Sequence, residues 1–175
     1  MATTDPVGSW LGEVAEKEVA RWCVANGWAV KHHSNLASPT DGPPVLRGPG
    51  KIDWLLPDLE LIAATSHNRR AVEFWEVKYL RPDNECYVLR TSKLSEWQAV
   101  ARFHGAVLRI AVVDSRTKEL RTYEVPAIQD RGDLVMRFDM MANCGKLNAD
   151  PFSLEKLARR VLTSRQASLH LLGLP

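Results

Sequence analysis

From Trp10 to Asn26 apolar residues recur at helical spacing, with Leu11, Ala15, Val19, Trp22 and Cys23 on one side and Gly27 behind them as a stop. The pattern predicts an amphipathic helix, followed by a short strand from Trp28 to Lys31. Ser34 to Gly50 holds Pro39, Pro43, Pro44 and Pro49 with Gly42, Gly48 and Gly50, a density of breakers that predicts a surface loop. Ile52 to Leu56 and Ala71 to Leu80 are apolar, β-branched and aromatic enough to be strands. They are expected to pair as neighbours, with the polar run Thr65 to Arg70 as the turn before the second. Thr91 or Ser92 can cap a helix over Lys93 to His104 that Gly105 closes, and Ala106 to Val113 is a continuous apolar run of the kind buried on both faces of a sheet.

Leu120 to Val125 and Leu134 to Asp139 predict further strands around a turn region from Pro126 to Gly132. Ser153 can cap a last helix reaching about Leu172, whose stripe of Leu154, Leu157, Val161, Leu162 and Leu169 is expected to pack on the sheet. This succession predicts an α/β fold, a mixed β-sheet flanked by helices. The expected core is about 10–126, with a C-terminal strand and helix extension of about 127–175 in the same domain.

Composition narrows the picture without naming a chemistry. A chain of 175 residues, 45% hydrophobic and 25% charged, has the size and mixture of one globular domain. No apolar run approaches the roughly 20 residues of a membrane helix, and Met1 to Ser9 lacks a signal-like segment, so a cytoplasmic protein without membrane association is expected. Cys23, Cys86 and Cys144 are odd in number and far apart, which argues against a disulfide framework or a zinc cluster. A formal charge of +2 and a pI near 8.5 permit nucleic-acid binding without arguing for it.

The chemistry lies in the run Ala71-Val-Glu-Phe-Trp-Glu-Val-Lys-Tyr-Leu80. Period-two alternation sends Glu76 and Lys78 to one face together with Phe74. Two charges in the middle of an apolar strand are costly unless they are paired or bind an ion. A solvated Glu–Lys pair on an edge strand is the plain alternative, because Glu-x-Lys is a common tripeptide. Two further acids supply context. Asp53 enters an apolar strand directly after Gly50-Lys-Ile, and Glu16 lies about 60° around the first helix from Val19, nearer the buried face than Glu13 or Glu18. Phosphodiester hydrolysis asks for such a set, since a divalent cation held by carboxylates neutralises the phosphate and acidifies a bound water.

With Glu16 and Gly27-Trp-Ala-Val30, then Gly50-Lys-Ile-Asp53, then Glu76-Val-Lys78, the sequence resembles the PD-(D/E)xK nucleases, in particular the small Holliday-junction-resolvase-like, restriction-endonuclease-like group. The similarity covers about Leu11 to Asp114. It implies a Mg²⁺-dependent deoxyribonuclease, with Mn²⁺ as a substitute ion, acting on DNA, and suggests branched or junction DNA met in recombination, repair or phage DNA processing. Residue by residue, it makes Asp53 and Glu76 metal ligands joined by the Val77 carbonyl. Lys78 would orient or activate the attacking water, and Glu16 would assist from the helix. Cutting two opposed strands of a junction would call for a homodimer.

The chain also departs from the pattern. Ile52 rather than proline precedes Asp53, whereas Pro57-Asp58 offers a literal Pro-Asp nearer to Glu76. Asp53 is preferred here because it leads straight into an apolar strand, while a proline before Asp58 would interrupt a central ladder. Gln98 on the following helix could contact metal or DNA, or merely face solvent. His32 and His33 could meet phosphate or serve as ligands, but as strand neighbours they point to opposite sides and cannot share one ion. Arg47, Lys51, Arg69, Arg70, Arg81, Arg90 and Lys93 fall in or near loops that could contact phosphates. Two other functions stay open: a restriction-like defence nuclease, and a non-catalytic DNA-binding or assembly protein that retains the fold.

Overall fold

The computed structural model describes residues 6–33, 45–47, 53–64, 70–80, 86–89, 91–114, 116–126 and 133–148. Helix α1 spans Pro6–Ala25 and α2 spans Thr91–His104. The strands are β1 (Trp28–His32), β2 (Val45–Arg47), β3 (Asp53–Leu55), β4 (Leu59–Ala64), β5 (Arg70–Leu80), β6 (Cys86–Leu89), β7 (Val107–Asp114), β8 (Glu119–Glu124), β9 (Leu134–Arg137) and β10 (Ala142–Lys146). Both helices stop where the sequence predicts, at glycines in the left-handed region: Gly27 at φ +87° and Gly105 at φ +61°.

Six strands form one mixed sheet in the order β1-β4-β5-β7-β8-β10, and β2/β3 and β6/β9 form two separate antiparallel ribbons. Only β5 and β7 run parallel, joined through a connection that contains β6 and α2. The helices cover opposite faces. Val19 and Cys23 of α1 pack with Leu59, Leu61, Trp75, Val77, Ala111 and Val113, while Leu94, Trp97 and Val100 of α2 pack with Phe74, Leu108, Ile110 and Val112. Alternate residues of β5 and β7 thus enter different cores, and β7 is buried on both faces as its continuous apolar run predicts. The architecture is the expected α/β one, a mixed sheet flanked by helices.

Three expectations are corrected. The strand at Asp53 does not pair with β5. It pairs with β2, inside the stretch read as loop, and is held against α2 where Leu55 N–H donates to Glu96 Oε2 at 2.9 Å. The true neighbour of β5 is β4, whose Leu59 and Leu61 are fully buried, and which the proline before it concealed. The predicted strand over Leu134 to Asp139 ends at Arg137 and turns through a short 3₁₀ segment, Phe138–Met140, into β10. The expected C-terminal helix lies outside the described residues.

The β4–β5 boundary positions the site. Leu59 pairs with Trp75, so continuing the register puts Pro57 level with Val77. Proline has no N–H and a fixed φ, and the ladder ends there. β5 continues to Leu80, still paired to β7 on its other side. On the β4 side, among the described residues, no strand covers the last turn of β5's pleat, which carries Glu76 and Lys78.

Candidate active site

At this open margin the backbone N–H of Val77 needs an acceptor, and the Asp58 carboxylate supplies it, with Oδ2 at 2.7 Å. Glu76 is 4% exposed, on the α2 face with Phe74 as the alternation predicts. Lys78 Nζ donates to Glu76 Oε1 and lies over the Trp97 ring of α2, 5.5 Å from its centroid. The structure therefore gathers Pro57-Asp58 and Glu76-Val77-Lys78 into one cluster. Asp53 is elsewhere: its backbone opens β3, level with Arg47 in the separate ribbon, and only that backbone is described.

Glu16 reaches the same margin from α1, where its Oε2 lies 3.0 Å from His32 Nε2. Burial, then the Asp58 and Glu76 charges, raise the Glu16 carboxyl to about 8. Burial holds the His32 ring below its ordinary value. Both shifts favour the uncharged forms, a carboxylic acid beside a neutral imidazole. Burial also raises Glu76, to about 7, with Lys78 pulling the other way and Asp58 adding to the rise. Burial opposes the charged form of Lys78, but Glu76 and Asp58 outweigh it and hold the ammonium above the ordinary lysine value.

Among the described residues, three carboxyl groups thus face one ammonium in a largely water-excluded corner. Among the described residues no three His, Cys, Asp or Glu side chains form a ready-made metal cage. Two carboxylates with a nearby backbone carbonyl, and charge left over, instead suit a hard divalent ion that keeps several of its waters. On donor chemistry and charge, the residues fit Mg²⁺.

The remaining candidates fall into place around this cluster. As strand geometry requires, His32 and His33 diverge, the first toward Glu16 and the second toward Pro57 and Phe74. Gln98 donates through Nε2 to the Pro126 carbonyl at 2.8 Å, tying α2 to the end of β8. Of the seven basic residues expected near the site, Lys93 is exposed on α2, and the side chains of the other six lie outside the described part. Cys23, Cys86 and Cys144 are free thiols, and burial pushes that of Cys23 up to about 12. Among the described residues no helix is long and apolar enough to cross a membrane. Sequence reasoning missed Trp97 as the ring beneath Lys78, and the seat of Asp58 on the Val77 N–H. The Pro-Asp dipeptide itself was the signal that could have found the latter.

Fold and site together define an α/β protein with a carboxylate, carboxylate and lysine cluster at a sheet margin. Among solved structures it is similar to that of Archaeoglobus fulgidus Hjc, described as a Holliday junction resolvase from an archaeal hyperthermophile, at 18% identity and a TM-score of 0.48, covering 70% of this chain and 88% of that one. No protein-family model matches the chain. Comparison with the curated proteins gives no match either.

Proposed function

We propose that this protein is a Mg²⁺-dependent DNA endonuclease of PD-(D/E)xK type, with Asp58, Glu76 and Lys78 as its signature residues. The observation that carries the reading is the Asp58 carboxylate seated on the Val77 N–H, between Glu76 and Lys78 in sequence. Asp58 replaces Asp53 in this reading, for the physical reason that the proline break leaves its side chain beside β5 while Asp53 belongs to another ribbon.

Asp58, Glu76 and the Val77 carbonyl would hold the ion, which supplies charge neutralisation at the phosphate and an acidified water when bound. Lys78 is protonated at neutral pH, so it acts as a cation: it donates hydrogen bonds and stabilises negative charge developing on the phosphate, and does not remove a proton. Trp97 beneath it and α2 behind it keep the ammonium from turning away into solvent. Glu16, paired with His32, would assist from α1 by holding a water at the margin. Branched or junction DNA, cut by a two-fold dimer, is the substrate we assign, on the sequence resemblance.

The test is cleavage of labelled linear duplex, single-stranded and four-way-junction DNA with Mg²⁺ or Mn²⁺, by the wild type and by Asp58→Asn, Asp53→Asn and Lys78→Ala. We expect junction cutting that is lost in Asp58→Asn and Lys78→Ala and kept in Asp53→Asn. Cutting retained in Asp58→Asn would sink the assignment, and inactivity of the wild type on every DNA would favour a binding or assembly role.

A further inference from the structure

His33, the residue after β1, is fixed on three sides. Its backbone N–H donates to the Asp58 carbonyl at 2.7 Å. Its ring Nδ1 lies 2.9 Å from the Pro57 carbonyl oxygen, and because a carbonyl only accepts, Nδ1 carries the hydrogen. The ring stacks near Phe74 of β5, with centroids 6.4 Å apart and planes at 30°. The side chain is 5% exposed, with Nε2 at 3.5 Å from a Glu60 carboxylate oxygen. The residue that follows β1 thereby grips two consecutive carbonyls, those of Pro57 and Asp58, at the point where the β4–β5 ladder has ended.

We propose that His33 is the positioning residue for Asp58. Without a ladder at Pro57, the direction in which the Asp58 side chain leaves the backbone is set by how the peptide groups on either side of Asp58 are oriented. The two hydrogen bonds from His33 set that orientation, and the carboxylate then lands on the Val77 N–H beside Glu76. Partners of this kind, which orient a metal-binding group without touching the ion, typically change affinity by about 10–100-fold when removed. This inference rests on the reading of Asp58 and Glu76 as the acids that hold the divalent ion. The imidazole is here a hydrogen-bond donor through Nδ1, and neither a ligand nor a phosphate contact.

The experiment compares the wild type with His33→Phe, which keeps a ring against Phe74 and loses the donor, His33→Asn, whose amide N–H can take the place of Nδ1–H, and Asp58→Asn. Mn²⁺ binding to the full chain is measured by titration calorimetry. The Mg²⁺ concentration that half-saturates DNA cleavage is measured separately from the rate at saturating metal. We expect His33→Phe to weaken Mn²⁺ binding by about 10–100-fold and to raise the Mg²⁺ requirement in step, with the saturated rate nearly unchanged, while His33→Asn stays close to wild type. Should His33→Phe not fold, His33→Gln, with its donor displaced by one methylene, takes its place. Wild-type Mn²⁺ affinity in the donor-less variant overturns the proposal, as does an equal loss in His33→Asn and His33→Phe. Asp58→Asn separates the two ideas: if it binds Mn²⁺ normally the metal reading itself fails, and if it alone loses binding the metal reading stands and the role of His33 falls.

Discussion

Glu73 and Glu76 stand on the same strand, leave it on opposite faces, and live in opposite electrostatic worlds. The Glu73 carboxylate accepts from the Trp75 indole N–H at 2.7 Å and from Arg109 Nε at 2.9 Å, and Arg109 extends on to Glu124 at 3.0 Å. Its charge is met by donors belonging to the fold. Among the described residues Glu76 shares a single ammonium with Asp58 and Glu16, and its carboxyl is raised to about 7 by burial that Lys78 only partly offsets. A buried acid by itself therefore says little. What marks a site is negative charge that the protein gathers and leaves short of cations.

The largest expected effect that would break this comparison is on catalysis. Glu76→Gln is expected to lower single-turnover DNA cleavage by about 10²–10⁴-fold, while Glu73→Gln, on the same strand, stays close to the wild-type rate. Equal losses in both would mean that the strand, and not the uncompensated cluster, is what matters. A smaller effect separates the two acids by stability. Arg109→Met leaves Glu73 with the indole N–H as its remaining donor among the described residues and should cost about 1–3 kcal/mol in urea unfolding. Glu76→Gln should be neutral or stabilising in the metal-free protein, because it removes a charge that burial disfavours more than Lys78 favours it.

The smallest effect is a pH dependence. Glu16 and Glu76 titrate at about 8 and about 7 in the folded protein, above the ordinary carboxylate value of 4.5. Between those limits the native state keeps protons that the unfolded chain has released. The stability they contribute is complete below the ordinary value and is lost as pH rises toward 8. In EDTA the melting temperature should thus fall by several degrees from about pH 5 to about pH 8. The fall should be shallower in Glu16→Gln and in Glu76→Gln, and Mg²⁺ should reverse it at the upper end. A flat profile in the metal-free wild type would count against the crowded cluster.

Much of this was legible in the sequence. The 3.6-residue stripe of α1, the continuous apolar run of β7 and the alternation that places Glu76 and Lys78 with Phe74 are local patterns, and local patterns survive into the fold. β6 and β10 were not legible, being short segments whose pairing depends on partners distant in sequence. The seat of Asp58 beside β5 was not legible, for an instructive reason. Proline was weighed as a break in regular structure, which it is, but the break is what detaches the Asp58 side chain from strand geometry and lets it reach a neighbouring backbone N–H. His33 had no signature beyond its place in a His-His pair at a strand end, where one ring is bound to turn away from the other.

Pro57 also has a consequence for the protein as an evolving object. A residue with an N–H at that position could extend the β4 ladder across Val77, and the sheet would become more regular and harder to unzip. It would also evict the Asp58 carboxylate from its seat. The imperfection is thus a reserved vacancy in the hydrogen-bonding pattern, and selection for rigidity alone would fill it at the expense of chemistry.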